Sequence, residues 1–162
     1  MIQFQSNLPW KPKNYNKKYR GDMLLRDAFA YSTNTVAAQL AYSVGTSTVI
    51  RKAKQLGIVS PMAPNLSLSL GTSEVTLLEL TGAFAHFAND GNRLVPYGIR
   101  LIKSQDGEVV YERKKGSEDQ IFTQDISRMM NDLMTDVVER GTGTKAKIGR
   151  PAAGKTGTSQ DF

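Results

Sequence analysis

The sequence contains no cysteine, so it can build no disulfide framework, thiolate nucleophile or cysteine-based metal site. That absence is silent about compartment, because exported proteins also do without cysteine. Histidine occurs once, as His86, between Ala85 and Phe87 in an apolar stretch. Such a position suits a core or partly buried side chain, and no Ser-His-Asp pattern surrounds it. No metal site and no cofactor are expected. No run approaches the ~20 apolar residues of a membrane-spanning helix. The N-terminus lacks the basic and apolar regions of a signal peptide, so any anchor or export signal is expected outside these residues. Internal repeats and low-complexity tracts are also missing.

What is present is an ordinary globular mixture, 40% apolar and 22% charged, in 162 residues, which suits one domain rather than two. The net charge of +6 reads mainly as a solvated basic surface. Lys11, Lys13, Lys17, Lys18 and Arg20 interleave with Trp10, Tyr15 and Tyr19, but the segment reads as irregular chain rather than a groove. Nucleic acid is therefore not expected as a partner.

Residues 1–22, rich in Asn and Lys with two prolines, read as an extended N-terminal segment. Helical spacing sets in at Met23, with Asp22 as a candidate cap, and Ser32-Thr33-Asn34-Thr35 interrupts it. Apolar helical faces resume from Val36 to Val44 and from Ser47 to Leu56. Residues 58–72 suggest a loop entering a short extended piece. A well-buried helix is expected from Glu74 to Asn89, capped by Thr72 or Ser73 and ended by Gly91, so that 23–92 form a helical part. Strands at Tyr97–Lys103 and Glu108–Arg113 flank an Asp-Gly turn and predict a hairpin over 97–113. A helix from Gln124 to Arg140 follows, capped by Thr123 and stopped by Gly141, within 123–141. Residues 150–162 suggest a terminal strand. The order of elements is α+β with helices in the majority.

Two chemistries compete for the C-terminus. Gly149 to Thr156 matches the phosphate-loop pattern G-x-x-x-x-G-K-[ST]. That loop needs a buried strand before it and a helix after Lys155-Thr156, and neither is suggested by the neighbouring residues. A nucleotide is therefore not expected. The other reading is a K-T-G strand. The small residues Ala152, Ala153, Gly154 and Gly157 leave room for a ligand backbone, while Lys155, Thr156 and Thr158 offer a cation and hydroxyl donors to a carboxylate. For K-T-G alone an edge strand with a solvated lysine is the favoured account, because three residues recur by chance. Ser32-Thr33-Asn34 adds a hydroxyl able to relay a proton and an amide able to hold an ammonium, although both residue types also cap helices.

The pair S-x-N then K-T-G resembles the penicilloyl-serine transferases, the penicillin-binding proteins and serine β-lactamases. The segments Leu25 to Ala37, Leu70 to Glu79, Asn89-Asp90-Gly91, Val138 to Gly143 and Gly149 to Thr158 resemble the transpeptidase domain of class A, bifunctional members. The likeness covers nearly the whole chain from about Trp10. It implies a β-lactamase/transpeptidase-like fold, here a helix-rich partial domain with a β-hairpin and the K-T-G strand.

The resemblance also implies a D,D-transpeptidase that cross-links peptidoglycan stem peptides, is acylated by β-lactam antibiotics, and works outside the bacterial cytoplasmic membrane. The membrane would be met only through parts outside this chain. In that scheme Ser32 shuttles a proton, Asn34 contacts the substrate amide and the catalytic lysine, and Lys155 sets a positive potential. Thr156 and Thr158 bind the substrate carboxylate beside Gly157, and the Thr158 N–H forms half of an oxyanion hole.

One departure is large. The family nucleophile lies in S-x-x-K, and no serine here has lysine three positions later. That motif is expected upstream of Met1, and further strands are expected beyond Phe162. The polypeptide alone is therefore expected to be inactive and to expose helix faces that favour association. Alternatives from other classes are a non-catalytic scaffold derived from such an enzyme, and a β-lactamase or D,D-carboxypeptidase relative.

Overall fold

The computed structural model describes residues 2–3, 9–114, 116 and 119–158. Five α-helices form the body: α1 (Leu25–Ala30), α2 (Asn34–Val44), α3 (Thr46–Gln55), α4 (Leu77–Ala88) and α5 (Gln124–Glu139). Short 3-10 turns lie at Leu66–Leu70 and Thr144–Ala146. Two small antiparallel pairs complete it, β1 (Ile2–Gln3) with β2 (Pro9–Trp10), and β3 (Leu101–Lys103) with β4 (Val109–Glu112). The whole is helix-rich α+β, as the sequence pattern suggests.

The core is built mainly of small residues. Ala28 and Ala30 of α1, Ala38 and Ala41 of α2, and Ala83 of α4 are buried, with Leu66 and with Met134, Val137 and Val138 of α5. Alanines let helices approach closely, and α5 packs on both α1 and α4. Polar contacts fix these pairings. Arg26 of α1 pairs with Asp132 and Asp136 of α5, and Arg140 pairs with Asp27 and Asp136. On the α4 side, Ser127 Oγ and Asn131 Nδ2 both donate to the carbonyl of Phe87, at 2.6 and 2.9 Å. This carbonyl lies in the last turn of α4, where it has no partner within the helix.

Several expectations need correction. α4 begins at Leu77 rather than Glu74, because Thr76 and Glu79 form a capping box that neither Thr72 nor Ser73 joins. Nor is α4 well buried: Leu77 is 81% exposed and Leu78 is exposed, while Gly82, Ala83 and His86 are buried. The helix meets α5 along one stripe only, so apolar positions around the rest of its circumference stay in solvent. Residues 66–70 coil into a 3-10 turn instead of an extended piece, because the Asn65 side chain accepts from Leu68 N–H and caps it. Asp22 caps nothing at α1, whose N-cap is Leu24 with no side-chain bond.

The hairpin is shorter than its sequence pattern. Gly107, at φ 87°, closes a turn in which its N–H donates to Ser104 O and Ser104 N–H donates to Glu108 O. A residue in the left-handed region at this point is what the Asp-Gly pair supplies. A register shift follows, with Ile102 opposite Tyr111 but Lys103 opposite Val109. Both strands are exposed throughout. Residues 150–158 carry no regular strand: a strand requires a laddered neighbour, and among the described residues this segment has none. Residues 159–162 of the expected strand lie outside the described residues.

Candidate active site

The S-x-N segment is the joint between α1 and α2. α1 ends with Ser32 N–H donating to Phe29 O at 3.2 Å and Thr33 N–H donating to Ala28 O at 2.8 Å. That pair of bonds is a Schellman ending, which places Ser32 where glycine usually sits. Ser32 accordingly has φ 51°, a strained value for a residue with a Cβ. The strain turns the Ser32 side chain out of the helical layer toward the C-terminal segment.

Asn34 opens α2, but it does not cap it, and neither does Ser32. The cap comes from a residue far away in sequence. Asn14 is nearly buried, and its Oδ1 accepts from both the N–H and the hydroxyl of Thr35, at 3.2 and 3.3 Å. Its Nδ2 donates to Lys18 O at 2.8 Å. Asn34 Nδ2 in turn donates to Lys13 O at 2.8 Å. The basic N-terminal segment is thus pinned onto the start of α2, with the Asn34 amide nitrogen donating to it.

Lys155 reaches the joint from the other end of the chain. Its Nζ donates to Ser32 Oγ at 2.8 Å and to Thr156 O at 3.0 Å, and lies 5.9 Å from the centre of the Phe29 ring. Half-burial beside that ring pushes the lysine pKa down from its usual value. The backbone holds this placement, since Gly154 N–H donates to Met134 O of α5 at 3.2 Å. Thr156 is exposed, with its hydroxyl in hydrogen-bond reach of the Thr142 hydroxyl. Gly157 and Thr158 are exposed beside it.

The structure therefore brings Ser32, Lys155 and Thr156 together and leaves Asn34 alongside, turned toward Lys13. Sequence reasoning missed Asn14, Phe29 and Thr142. Asn14 carries no local signal, because its role depends on tertiary contact with α2. Thr142 lay within a quoted segment, but spacing alone gave it no task. The phosphate-loop reading finds no support: a 3-10 turn and irregular chain precede Gly149, and the described residues after Thr156 are not helical.

His86 is 2% exposed and uses both ring nitrogens. Nδ1 lies 2.8 Å from Gly82 O, an acceptor only, and Nε2 accepts from Leu94 N–H at 3.2 Å. The ring is therefore a neutral structural link with its proton on Nδ1.

Comparisons with known proteins place this geometry in a family. The model for the penicillin binding protein transpeptidase domain matches residues 2–162. Penicillin-binding protein 1A of Aquifex aeolicus (strain VF5) is 40% identical over 154 residues, covering 94% of this chain and 21% of that protein. The chain thus spans about a fifth of the length of the curated relatives it matches. The D,D-transpeptidase domain of a peptidoglycan glycosyltransferase from Eggerthella lenta superposes with a TM-score of 0.77 at 25% identity, over 92% of this chain and 45% of that one. Penicillin-binding protein A from M. tuberculosis, solved as its imipenem acyl-enzyme complex, shares the fold with a TM-score of 0.78 at 24% identity, over 96% and 41%. The chain belongs to the penicillin-binding protein transpeptidase domain family.

Proposed function

We propose that this chain supplies the S-x-N and K-T-G parts of a serine D,D-transpeptidase site that cross-links peptidoglycan outside the cytoplasmic membrane. The observation that carries the reading is the 2.8 Å bond from Lys155 Nζ to Ser32 Oγ, which joins residues 123 positions apart. An ammonium donates only, so Ser32 Oγ accepts from it and keeps its own proton to pass to a leaving group. Among the described residues Lys155 makes no ion pair: its hydrogen-bond partners there are a hydroxyl and a carbonyl. A partly desolvated cation favours an arriving carboxylate, such as the terminus of a D-Ala-D-Ala stem or of a β-lactam.

The nucleophile is a serine of an S-x-x-K motif, which this sequence does not contain. It attacks the carbonyl between the two D-alanines, D-alanine leaves with a proton relayed through Ser32, and an amine of a neighbouring stem takes the acyl group. Thr156 and Thr158 hold the substrate carboxylate beside Gly157, and the Thr158 N–H faces the developing oxyanion. Asn34 contacts the substrate amide, for which its Oδ1 can accept and its second Nδ2 proton can donate while the first stays on Lys13 O.

The test is fluorescent penicillin followed by denaturing electrophoresis. The chain alone is expected to give no labelled band, and the chain joined to an S-x-x-K segment is expected to give one that Lys155→Ala weakens. A labelled band from the chain alone overturns the assignment of the nucleophile. A folded joined protein that stays unlabelled favours the non-catalytic reading.

A further inference from the structure

We propose that Thr142 is a positioning residue that orients the Thr156 hydroxyl by donating to its oxygen, so that the Thr156 proton is aimed at a ligand carboxylate. The proposal rests on the transpeptidase reading and extends it to a residue outside the S-x-N and K-T-G motifs.

Thr142 has contacts with both halves of the site. Its N–H donates at 3.1 Å to the carbonyl of Ala30, two residues before Ser32. Its hydroxyl meets the Thr156 hydroxyl within the K-T-G segment. Both neighbours hold it there. Gly141 passes so near α1 that a Cβ in its place would lie 2.2 Å from Ala30 O. Gly143 N–H donates to Val137 O at 2.9 Å. The Arg140 guanidinium, bonded to Asp27 and Asp136, fixes the segment just upstream.

The proton count decides what this pair can do. A hydroxyl has one proton to donate and two lone pairs to accept with. If Thr142 donates to Ala30 O, Thr156 must donate to Thr142, and its only proton is used. If Thr142 donates to Thr156, the Thr156 proton is free for a ligand. The Ala30 contact of the Thr142 hydroxyl is 3.5 Å, at the outer limit of a hydrogen bond, and that carbonyl already receives the Thr142 N–H. The second arrangement is therefore easily adopted, and an arriving anion favours it through a charge-assisted bond from Thr156. Thr142 touches no ligand itself; it acts through Thr156.

The experiment uses the protein in which this chain is joined to its S-x-x-K serine. It measures acylation rate constants against concentration for a penicillin and for its methyl ester, which lacks the carboxylate. Thr142→Val keeps the N–H bond to Ala30 and removes the hydroxyl. It is expected to weaken apparent binding of the penicillin about 2- to 10-fold, the worth of one hydrogen bond, and to leave the ester unchanged. Thr142→Ser is expected to restore the penicillin value. Equal losses for both ligands, no loss for either, or failure of Thr142→Ser to rescue overturns the proposal. Wild type that neither compound acylates refutes the transpeptidase reading instead, and the proposal falls with it.

Discussion

Replacing Gly141 by alanine tests how tightly the two halves of the site are joined. The added Cβ would stand 2.2 Å from Ala30 O and 2.9 Å from both Ala30 C and Val137 Cα, all backbone atoms that cannot rotate away. Ordinary contact begins at 3.4 Å, so Ala30 O must retreat by about 1.2 Å. That movement stretches the bond from Thr142 N–H to Ala30 O beyond useful range. Overpacking costs roughly 1–3 kcal/mol and a lost hydrogen bond roughly 0.5–1.5 kcal/mol, so the sum is about 1.5–4.5 kcal/mol. For a chain of this length the expected fall in Tm is roughly 3–18 °C, followed by near-ultraviolet circular dichroism. Gly154→Ala is the control, since a Cβ there meets nothing within 4 Å. Both substitutions restrict the unfolded chain alike, so their difference reports the clash. If Gly141→Ala melts within about 2 °C of Gly154→Ala, the close approach of Gly141 to α1 does not support the fold as argued.

Two further outcomes follow from local geometry. Ser32→Ala and Ser32→Gly both remove the Lys155 acceptor, but only glycine relieves φ 51°, so the glycine variant is expected to be the more stable by about 1 kcal/mol in denaturant unfolding; equal stabilities would show that the position is unstrained. Glu79 accepts from the Ser60 hydroxyl at 2.6 Å, from the N–H groups of Val59, Ser60 and Thr76, and from the Thr76 hydroxyl, which together hold its carboxyl at about 2, against an ordinary 4.5. A carboxyl lowered by folding stabilises fully above its unfolded pKa and loses that contribution as pH falls through the folded one. Wild type should therefore lose stability more steeply than Glu79→Gln between pH 4.5 and 2, and parallel profiles from equilibrium unfolding would count against this role.

Much of this architecture was legible in the residues. Helical spacing marked α2, α3 and α5 to within a residue or two, and Thr123 does cap α5, through a long 3.5 Å contact with Ile126 N–H. Asp106-Gly107 marked the hairpin, and Ser32 and Lys155 stood out as motif residues before any geometry was known. What stayed hidden depends on partners distant in sequence. The burial of α4 was overestimated because its apolar residues circle the helix while α5 covers one stripe. The cap of α2 could not be read locally, since Asn14 lies 21 positions before Thr35. Asn34 showed the right amide for a ligand contact, but nothing in the local pattern revealed that the Lys13 carbonyl holds it.

The separation between the partners also sets the order of events as the chain folds. A hairpin such as Leu101 to Glu112 closes in about 1–10 μs because its strands meet around a short turn. Ser32 and Lys155 are 123 positions apart, and Thr142 and Ala30 are 112 apart. Closing loops of that size carries an entropic cost that the local helices must already offset. The α1–α5 ion pairs, 106 to 113 positions apart, belong to the same long-range class, so the site and the core beneath it depend on the same distant pairings. A chain halted before residue 142 contains the residues of all five helices but neither Thr142 nor Lys155, so it lacks what ties the S-x-N joint to the C-terminal segment.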